Sequence, residues 1–543
     1  MTGHPHRGAI QGPAAPLIVG LLTGALALAS CTTRYHSLRA DKEVASLLGP
    51  LTSSELDHRE ATVLRPEERI EEQAPPQPEA SSEAEALVPD EPRFIGLEDS
   101  LRLALRQSRS YQNQVESLYL TVLSFTGTRH SFSPLLSSTL AHALEDATGV
   151  GRMQGSRGSL RLSKIFSTGA MVDVTGSGRT VYDSTSGVDP DQRSAADLAF
   201  TLRQPILRGA GYEVSHDSLI QAERNVLYAI RDFELFREDF AIDVASQFYD
   251  LVQQRQSVEN AHDNLRSLTF FREQAEALYQ VGRAPELDVN RARRSELEAE
   301  NNLIGAEEDY EVALDRFKIF LGLSIEENLD ILDEKPTYHD MRYELASAID
   351  VALVNRLDYL TEKERLEDAE RAVRVARNAL LPDLDLELSY NTSSSTERLG
   401  IERFDDDRYR IGVSLGLPLD RLLQRNGYRS AEIALDRARR DFDLFHDNLI
   451  LDIRRAFRDL ERRRQSLLIQ EELIDSERKN VEIADLRFRQ GQIPNRDVVE
   501  AQENLLDAQN AYIREVVAYE ISRLRLLRNL GILFIDEDGL FKP

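Results

Sequence analysis

Two periodicities of apolar and polar residues run through the chain, one helical and one extended. Val226, Ile230, Phe233, Phe240, Val244, Phe248 and Leu251 recur at spacings of three, four or seven, and so do Leu435, Ala438, Phe442, Leu449, Ile453, Leu460 and Leu467. Glu, Arg, Asp and Gln fill the gaps, so each run is an amphipathic stripe and predicts a long helix with one buried face. No Pro or Gly interrupts Val214–Tyr279, and 66 helical residues would reach roughly 100 Å. A globular domain has no use for that length; a coiled-coil conduit or strut does.

The body is written twice. At an offset of 209, Asp232–Gly322 aligns with Asp441–Gly531 without a gap, and Tyr279–Gly322 carries 14 identities in 44 positions. Upstream, Gly211-Tyr212 matches Gly427-Tyr428 at an offset of 216, so the second copy lacks seven residues. Seven is one heptad, which predicts a shorter second helix whose apolar stripe is not rotated. Leu103–Tyr111 further resembles Val351–Tyr359, so each copy reads as helix, sheet segment, long helix, tight turn, helix. The turns Gln280–Val289 and Gln490–Val499 each hold a capping Gly, then Pro, then an acidic first turn, and predict two helical hairpins.

Residues 1–30 carry no acid, and Pro16–Ser30 is an apolar, small-residue run. Fifteen residues are too few for a membrane helix, which needs about 20, and fit the core of a secretory signal. The run ends Leu28-Ala29-Ser30-Cys31, which resembles a bacterial lipobox; that implies cleavage before Cys31 and acylation of it, palmitate included, in place of an incidental thiol. Several acyl chains give stable anchoring at about 0.8 kcal/mol per buried methylene. Thr32 follows the cysteine, which in this lipoprotein class is compatible with export to the outer membrane. Pro66–Pro92 holds six Pro and nine Asp/Glu in 27 residues and predicts a disordered acidic tether.

Between the helical runs the period drops to two. Leu384, Leu386, Leu388 and Tyr390 alternate with Asp383, Asp385, Glu387 and Ser389; Ile411, Val413, Leu415 and Leu417 alternate with Arg410, Gly412, Ser414 and Gly416. Leu160/Leu162, Ala170/Val172/Val174 and Leu198/Phe200/Leu202 repeat the pattern in the first copy. Such strands fit a half-buried soluble sheet or a barrel wall between lipid and water. Export, the very long flanking helices, and charges that a packed core rejects favour the wall, with Leu384, Leu386, Leu388, Ile411, Val413 and Leu415 toward lipid. Read as two strand pairs, one chain is too small for a barrel, which needs about eight strands, and open edges are not tolerated in lipid. Assembly is therefore expected: a dimer would leave a bore packed with side chains, whereas a trimer gives about twelve strands.

This plan resembles the TolC-type outer-membrane efflux and secretion channels, specifically their lipidated subset. Gln204-Pro205-Ile206-Leu207-Arg208-Gly209, Ala379-Leu380-Leu381-Pro382-Asp383-Leu384, the two G-x5-D-V tips and Cys31 carry the likeness, which covers about residues 95–533. The resemblance implies a mainly α fold with a membrane β-barrel: a homotrimer with a 12-stranded barrel in the outer membrane, continued by an α-helical coiled-coil barrel through the periplasm. It implies substrate handed over from an inner-membrane pump through a periplasmic adaptor (membrane fusion) protein, with no cofactor and no chemistry of the channel's own. Val281, Gly282, Arg283 and Pro285 would form one adaptor-docking tip, and Gly491, Gln492 and Pro494 the other. Asp288, Asp497 and Glu500 match positions that narrow the periplasmic entrance, where threefold symmetry would make acidic rings that favour cations. Phe488 and Ile493 stand where some members lock this entrance with Tyr and Arg, leaving Arg283 or Arg496 as substitutes.

The domain reading is a signal peptide at 1–30, a lipid-anchored N-terminal segment at 31–94 that contains the disordered acidic Pro-rich tether, repeats at 95–330 and 331–533, each with a helix, two strands and a helical hairpin, and a C-terminal tail at 534–543. A net charge of −27 argues against a nucleic-acid partner, and the single Cys excludes an internal disulfide or a Cys-based zinc cluster. Gly149–Gly155 is not a dinucleotide fingerprint, the ten His show no metal spacing, and no Walker loop or nucleophile elbow occurs, so no enzyme is expected. A periplasmic adaptor would have one hairpin flanked by lipoyl-like domains, and a soluble coiled-coil scaffold would leave the alternating strands unused.

Overall fold

The computed structural model describes residues 33–55, 92–147, 151–183, 191–336, 344–396, 404–536 and 540–541. The signal, Cys31 and nearly all of the acidic tether lie outside these residues. The chain divides into two units, residues 1–81 and 82–543. In the first, helix α1 spans Thr33–Glu55, a helix that the sequence pattern did not announce. No described helix is long and apolar enough to cross a membrane.

The second unit is built from two copies of one plan. In the first, β1 (Arg93–Ile95), α2 (Leu97–Gln107) and α3 (Arg109–Ser131) lead into β2 (Leu135–Ala147), β3 (Gly151–Ile165), β4 (Met171–Asp183) and β5 (Asp191–Pro205). A single helical turn, α4 (Tyr212–Ser215), precedes the hairpin of α5 (Asp217–Gln280) and α6 (Glu286–Leu321), and β6 (Leu329–Ile331) closes the copy. The second copy runs α7 (Leu345–Asn355), α8 (Leu357–Asn378), β7 (Asp383–Thr396), β8 (Asp406–Gly416), α9 (Leu422–Arg489) and α10 (Asn495–Asn529).

The long helices form because their stripes find each other. All seven residues of the first stripe, from Val226 to Leu251, are buried. In the second, Leu449, Ile453, Leu460 and Leu467 are buried while Leu435, Ala438 and Phe442 remain half-buried. Helix α5 has 64 residues and α9 has 68, so each reaches roughly 100 Å at 1.5 Å per residue. The expectation of a shorter second helix is corrected: α9 starts at Leu422, upstream of Gly427, whereas the first copy breaks at His216 before α5 begins. The missing heptad is made up from residues that in the first copy are loop and the separate turn α4.

In packing order the hairpin helices run α6, α5, α10, α9, which leaves α6 and α9 on the two flanks. Two elements outside the repeat pattern brace this bundle. Strand β1 pairs in parallel with β6, from Arg93–Leu329 to Ile95–Ile331, so the predicted boundary at 330 cuts a strand. The tail docks on the bundle: Phe541 packs against the cluster of Ile242, Ala245 and Leu533, and the Arg237 guanidinium donates to the Asp536 carbonyl at 3.0 Å.

The strands form one antiparallel sheet in the order β2-β3-β4-β5-β7-β8. Six strands replace the four expected, because the first copy carries four instead of two. Strand β2 escaped the pattern because Ser138 and His142 share a face with Leu136 and Leu140 and break the alternation. The twelve-strand count for three copies rested on four strands per chain and loses its basis.

Candidate functional site

The sheet has two chemically distinct faces, set by register. One row runs Leu136, Leu162, Val174, Phe200, Tyr390, Tyr409 across all six strands. A neighbouring row joins Val172, Leu202, Leu388 and Ile411, and Leu386 with Val413 and Leu384 with Leu415 extend the same face. All six predicted lipid-side residues therefore share one face. On this chain alone much of it is bare to solvent, from Leu136 at 67% and Leu140 at 65% on one edge strand to Ile411 at 75% and Val413 at 71% on the other. A contiguous apolar face of that extent needs a cover. Phe200, Tyr390 and Tyr409 lie side by side in one row, with the two tyrosine rings 5.3 Å apart; the next row still holds Leu160 and Leu198 level with Thr392, and Ser394 and Thr180 lie further out. An apolar face that carries aromatic rings and gives way to small polar residues toward the strand ends fits a barrel wall at the lipid–water boundary.

The opposite face is charged and cross-linked by ion pairs. Arg161 on β3 meets Asp173 on β4 at 2.6 Å, and Arg203 on β5 meets Asp385 on β7 at 2.6 Å. A closing contact at the helix end joins Arg208 to Asp383, also at 2.6 Å. These pairs sit on diagonals of the ladder, so they fix register while leaving polar groups facing away from the apolar side. The edges β2 and β8 have no neighbouring strand among the described residues.

At the far end of the helices the two tips repeat one turn. Gly282 takes φ 71° and Gly491 φ 69°, left-handed values open to glycine at little cost. The Arg283 amide donates to the Leu278 carbonyl at 2.8 Å and the Gln492 amide to Arg487 at 2.9 Å, five residues back in both, so each helix closes with the same paired-carbonyl cap. Pro285 and Pro494 then start the return helices in extended conformation. Val281, Gly282, Arg283 and Pro285 are exposed at one tip, and Gly491, Gln492 and Pro494 at the other.

The predicted entrance residues separate by environment. Asp288 is half-buried and 3.7 Å from Arg291; Asp497 is half-buried and 3.5 Å from Arg496; Glu500 is exposed. Arg496 is thus already engaged, while Arg283 stays at the surface. Phe488 and Ile493 belong to an apolar cluster with Leu268, Phe271 and Val498 that welds the two hairpins together, so they act as core. Three acids beyond the predicted set join Glu500. The Glu503 carboxyl is held above the usual range, first because surrounding protein displaces its water and then because Glu298, Asp507 and Glu500 add negative field, with Arg294 opposing. Their signal was present: Glu500, Glu503 and Asp507 are spaced three and four apart and so share one face of α10. Among the described residues no group of His, Cys, Asp and Glu has metal-site geometry.

The outward flanks of the bundle carry apolar side chains as well. Leu297, Ile304, Val312 and Ile319 stand exposed on α6, and Leu444, Leu451, Leu468, Ile469 and Leu486 on α9.

A model of the outer membrane efflux protein family matches residues 172–323 and 348–532. The outer membrane efflux protein BepC of Brucella suis is 23% identical over 444 residues, spanning 79% of this chain and 94% of its own. The outer membrane protein TolC of Vibrio cholerae is 22% identical over 329 residues, spanning 58% of this chain and 73% of its own. Among solved structures, VceC from Vibrio cholerae superposes with a TM-score of 0.61 at 17% identity, over 80% of this chain and 96% of that one. The Campylobacter jejuni CmeC outer membrane channel gives 0.61 at 16% identity, over 81% and 86%.

Proposed function

The chain belongs to the outer membrane efflux protein family, and from that premise we propose that it is the exit duct of a tripartite efflux pump or a type I secretion system, working as a homotrimer. One observation carries the reading: a sheet with one continuous apolar face and one charged face, open at both edges, is joined to helices roughly 100 Å long. Open strand edges have no place in hydrocarbon, so the sheet must be completed by other copies.

The flanks support a ring. Helix α6 and strand β2 lie on one flank, α9 and β8 on the other, and both flanks expose apolar or unpaired surface. A contact between two different surfaces of one chain is head-to-tail and closes into a ring when its rotation permits. Strand β2 leaves the helices and β8 returns to them, so the junction would be antiparallel, as membrane barrels require. The helices would then enclose a water-filled conduit through the periplasm.

The tips would receive the hairpins of a periplasmic adaptor, and through it an inner-membrane pump would supply both substrate and energy. Asp288, Asp497 and Glu500 would narrow the entrance, joined by Glu503 and Asp507, giving stacked acidic rings that favour cations. Cys31 would carry the acyl chains that tie the amino terminus to outer-membrane lipid.

The test is a detergent-solubilised preparation measured by native mass spectrometry and in a planar bilayer. A trimer that conducts with a preference for cations is expected. A monomer that stays in water once Cys31→Ala is made, with no conductance, would instead mark an adaptor or scaffold lipoprotein.

A further inference from the structure

The largest length difference between the two repeats falls in the membrane sheet. Tyr111 aligns with Tyr359 at an offset of 248, but Gly211-Tyr212 aligns with Gly427-Tyr428 at 216, so the first copy is 32 residues longer between these points. Helix α3 ends at Ser131 and α8 at Asn378, so β2 matches β7 as the strand leaving the helices, and β5 matches β8 as the strand returning. What lies between is β3 and β4, one complete extra hairpin. A hairpin adds one outward and one inward strand, so it widens a sheet without changing which end either flank comes from.

The added strands carry the same two faces as the others. Leu160 and Leu162 on β3 and Val172 and Val174 on β4 fall on the apolar face, level with Phe200 and Leu202. Arg161, Ser163, Asp173 and Thr175 fall on the charged face, where Arg161 and Asp173 form their own ion pair. All thirteen residues of β4 pair with β3 on one side and with β5 on the other. A hairpin folded over the outside of a barrel would have no such continuous ladder and no reason to put Arg157, Arg161, Asp173 and Arg179 on the bore side, whereas Lys164, next to the end of β3, falls on the apolar side.

We propose that the inserted hairpin is part of the barrel wall, so that three copies close an 18-stranded barrel, β8 of each pairing with β2 of the next. This rests on the trimeric reading above. Barrel diameter grows roughly in proportion to strand number, so the bore is about 1.5 times as wide as a twelve-stranded one. The membrane section is then a wide mouth, and selection among solutes falls to the helical conduit and its acidic end.

Two measurements decide it. The first compares the full chain with a variant lacking Gly151–Asp183, both in lipid nanodiscs under electron microscopy. The excision preserves strand direction, so the expected result is a trimer whose barrel is narrower by about one-third. Equal diameters would overturn the proposal. The second needs no deletion: fluorophores placed by Leu140→Cys and Leu162→Cys should be quenched by brominated lipid, and those at Thr139→Cys and Ser159→Cys by aqueous iodide. With the two β2 positions as the reference for the wall, quenching at Leu162→Cys by iodide, or at Ser159→Cys by brominated lipid, would put the hairpin outside it. An oligomer that is not threefold would sink the trimeric reading instead, while the quenching pattern still reports which way the hairpin faces.

Discussion

Arg203 reaches diagonally across the sheet to Asp385 at 2.6 Å, and this pair spans the seam where the first copy's last strand meets the second copy's first. The carboxylate is 7% exposed and the guanidinium 56%, so the two ends are not equivalent. Removing the arginine leaves a buried charge without its partner, which costs about 1–3 kcal/mol or more. Removing the charge from the carboxyl leaves only an exposed guanidinium, which water satisfies. Arg203→Ala should therefore lower the melting temperature of the detergent-solubilised protein clearly more than Asp385→Asn does. Equal losses would mean that the seam is held by the backbone ladder alone.

A second prediction comes from the ends of the return helices. Gly322 closes α6 at φ 86°, and a Cβ there would be driven into the carbonyl of Gln107, at the joint between α2 and α3. Gly282 has a similar φ of 71° but open space around it. Gly282→Ala should cost only the left-handed strain, about 1–2 kcal/mol. Gly322→Ala adds a backbone clash that no side-chain rotation relieves, so it should unfold at distinctly lower denaturant concentration than Gly282→Ala. Matching midpoints would mean that the α2–α3 joint yields.

Much of this architecture was legible because duplication doubles every signal. Both hairpins, both tips and the long stripes repeat at a fixed offset, and each copy confirms the other. What escaped did so for physical reasons. Strand β2 interrupts its apolar positions with Ser138 and His142, so a two-residue pattern does not register it. The parallel pair β1–β6 is three residues long and joins segments more than two hundred residues apart, so no local period marks it. Phe488 and Ile493 stand where the resemblance puts a Tyr and Arg lock; their apolar chemistry speaks against that lock, and they are packed between the hairpins.

Asn495 is a point where the tip is less stable than it could be. It begins α10, is fully buried, and neither its side-chain oxygen nor its nitrogen has a hydrogen-bond partner among the described residues. Two unpaired polar atoms each carry a desolvation penalty of about 1–3 kcal/mol that an apolar side chain of similar size avoids. Asn495→Leu should therefore raise the melting temperature of the detergent-solubilised protein. A drop would show that the amide finds its partner only in the assembled ring.

The Glu503 carboxyl on α10 makes the folded chain sensitive to pH. Glu503 binds its proton more tightly in the folded chain than in an unfolded one, where the ordinary value is 4.5. The folded state is therefore favoured while Glu503 is protonated, and that advantage is lost as pH rises through the raised value. Between about pH 4.5 and neutrality the wild type should lose stability relative to Glu503→Gln, which cannot ionise. Melting curves of the two proteins at pH 4 and pH 7 check this. Parallel behaviour at both would mean that Glu503 is ordinarily solvated.

Ion selectivity tests the same carboxyls in assembly. Asp497 lies one turn before Glu500, and Glu503 and Asp507 continue the face toward the membrane end of α10. Arg496 offsets the charge of Asp497 at 3.5 Å, whereas exposed Glu500 has no ion pair among the described residues. In a threefold ring each such position becomes three charges around one axis, and the local field draws cations in and holds anions off. The double variant Asp497→Ala, Glu500→Ala should shift the reversal potential in a salt gradient toward zero while leaving the trimer intact. Glu500→Ala alone should supply most of that shift, since its charge is the less compensated. An unchanged reversal potential would place these residues away from the conducting path.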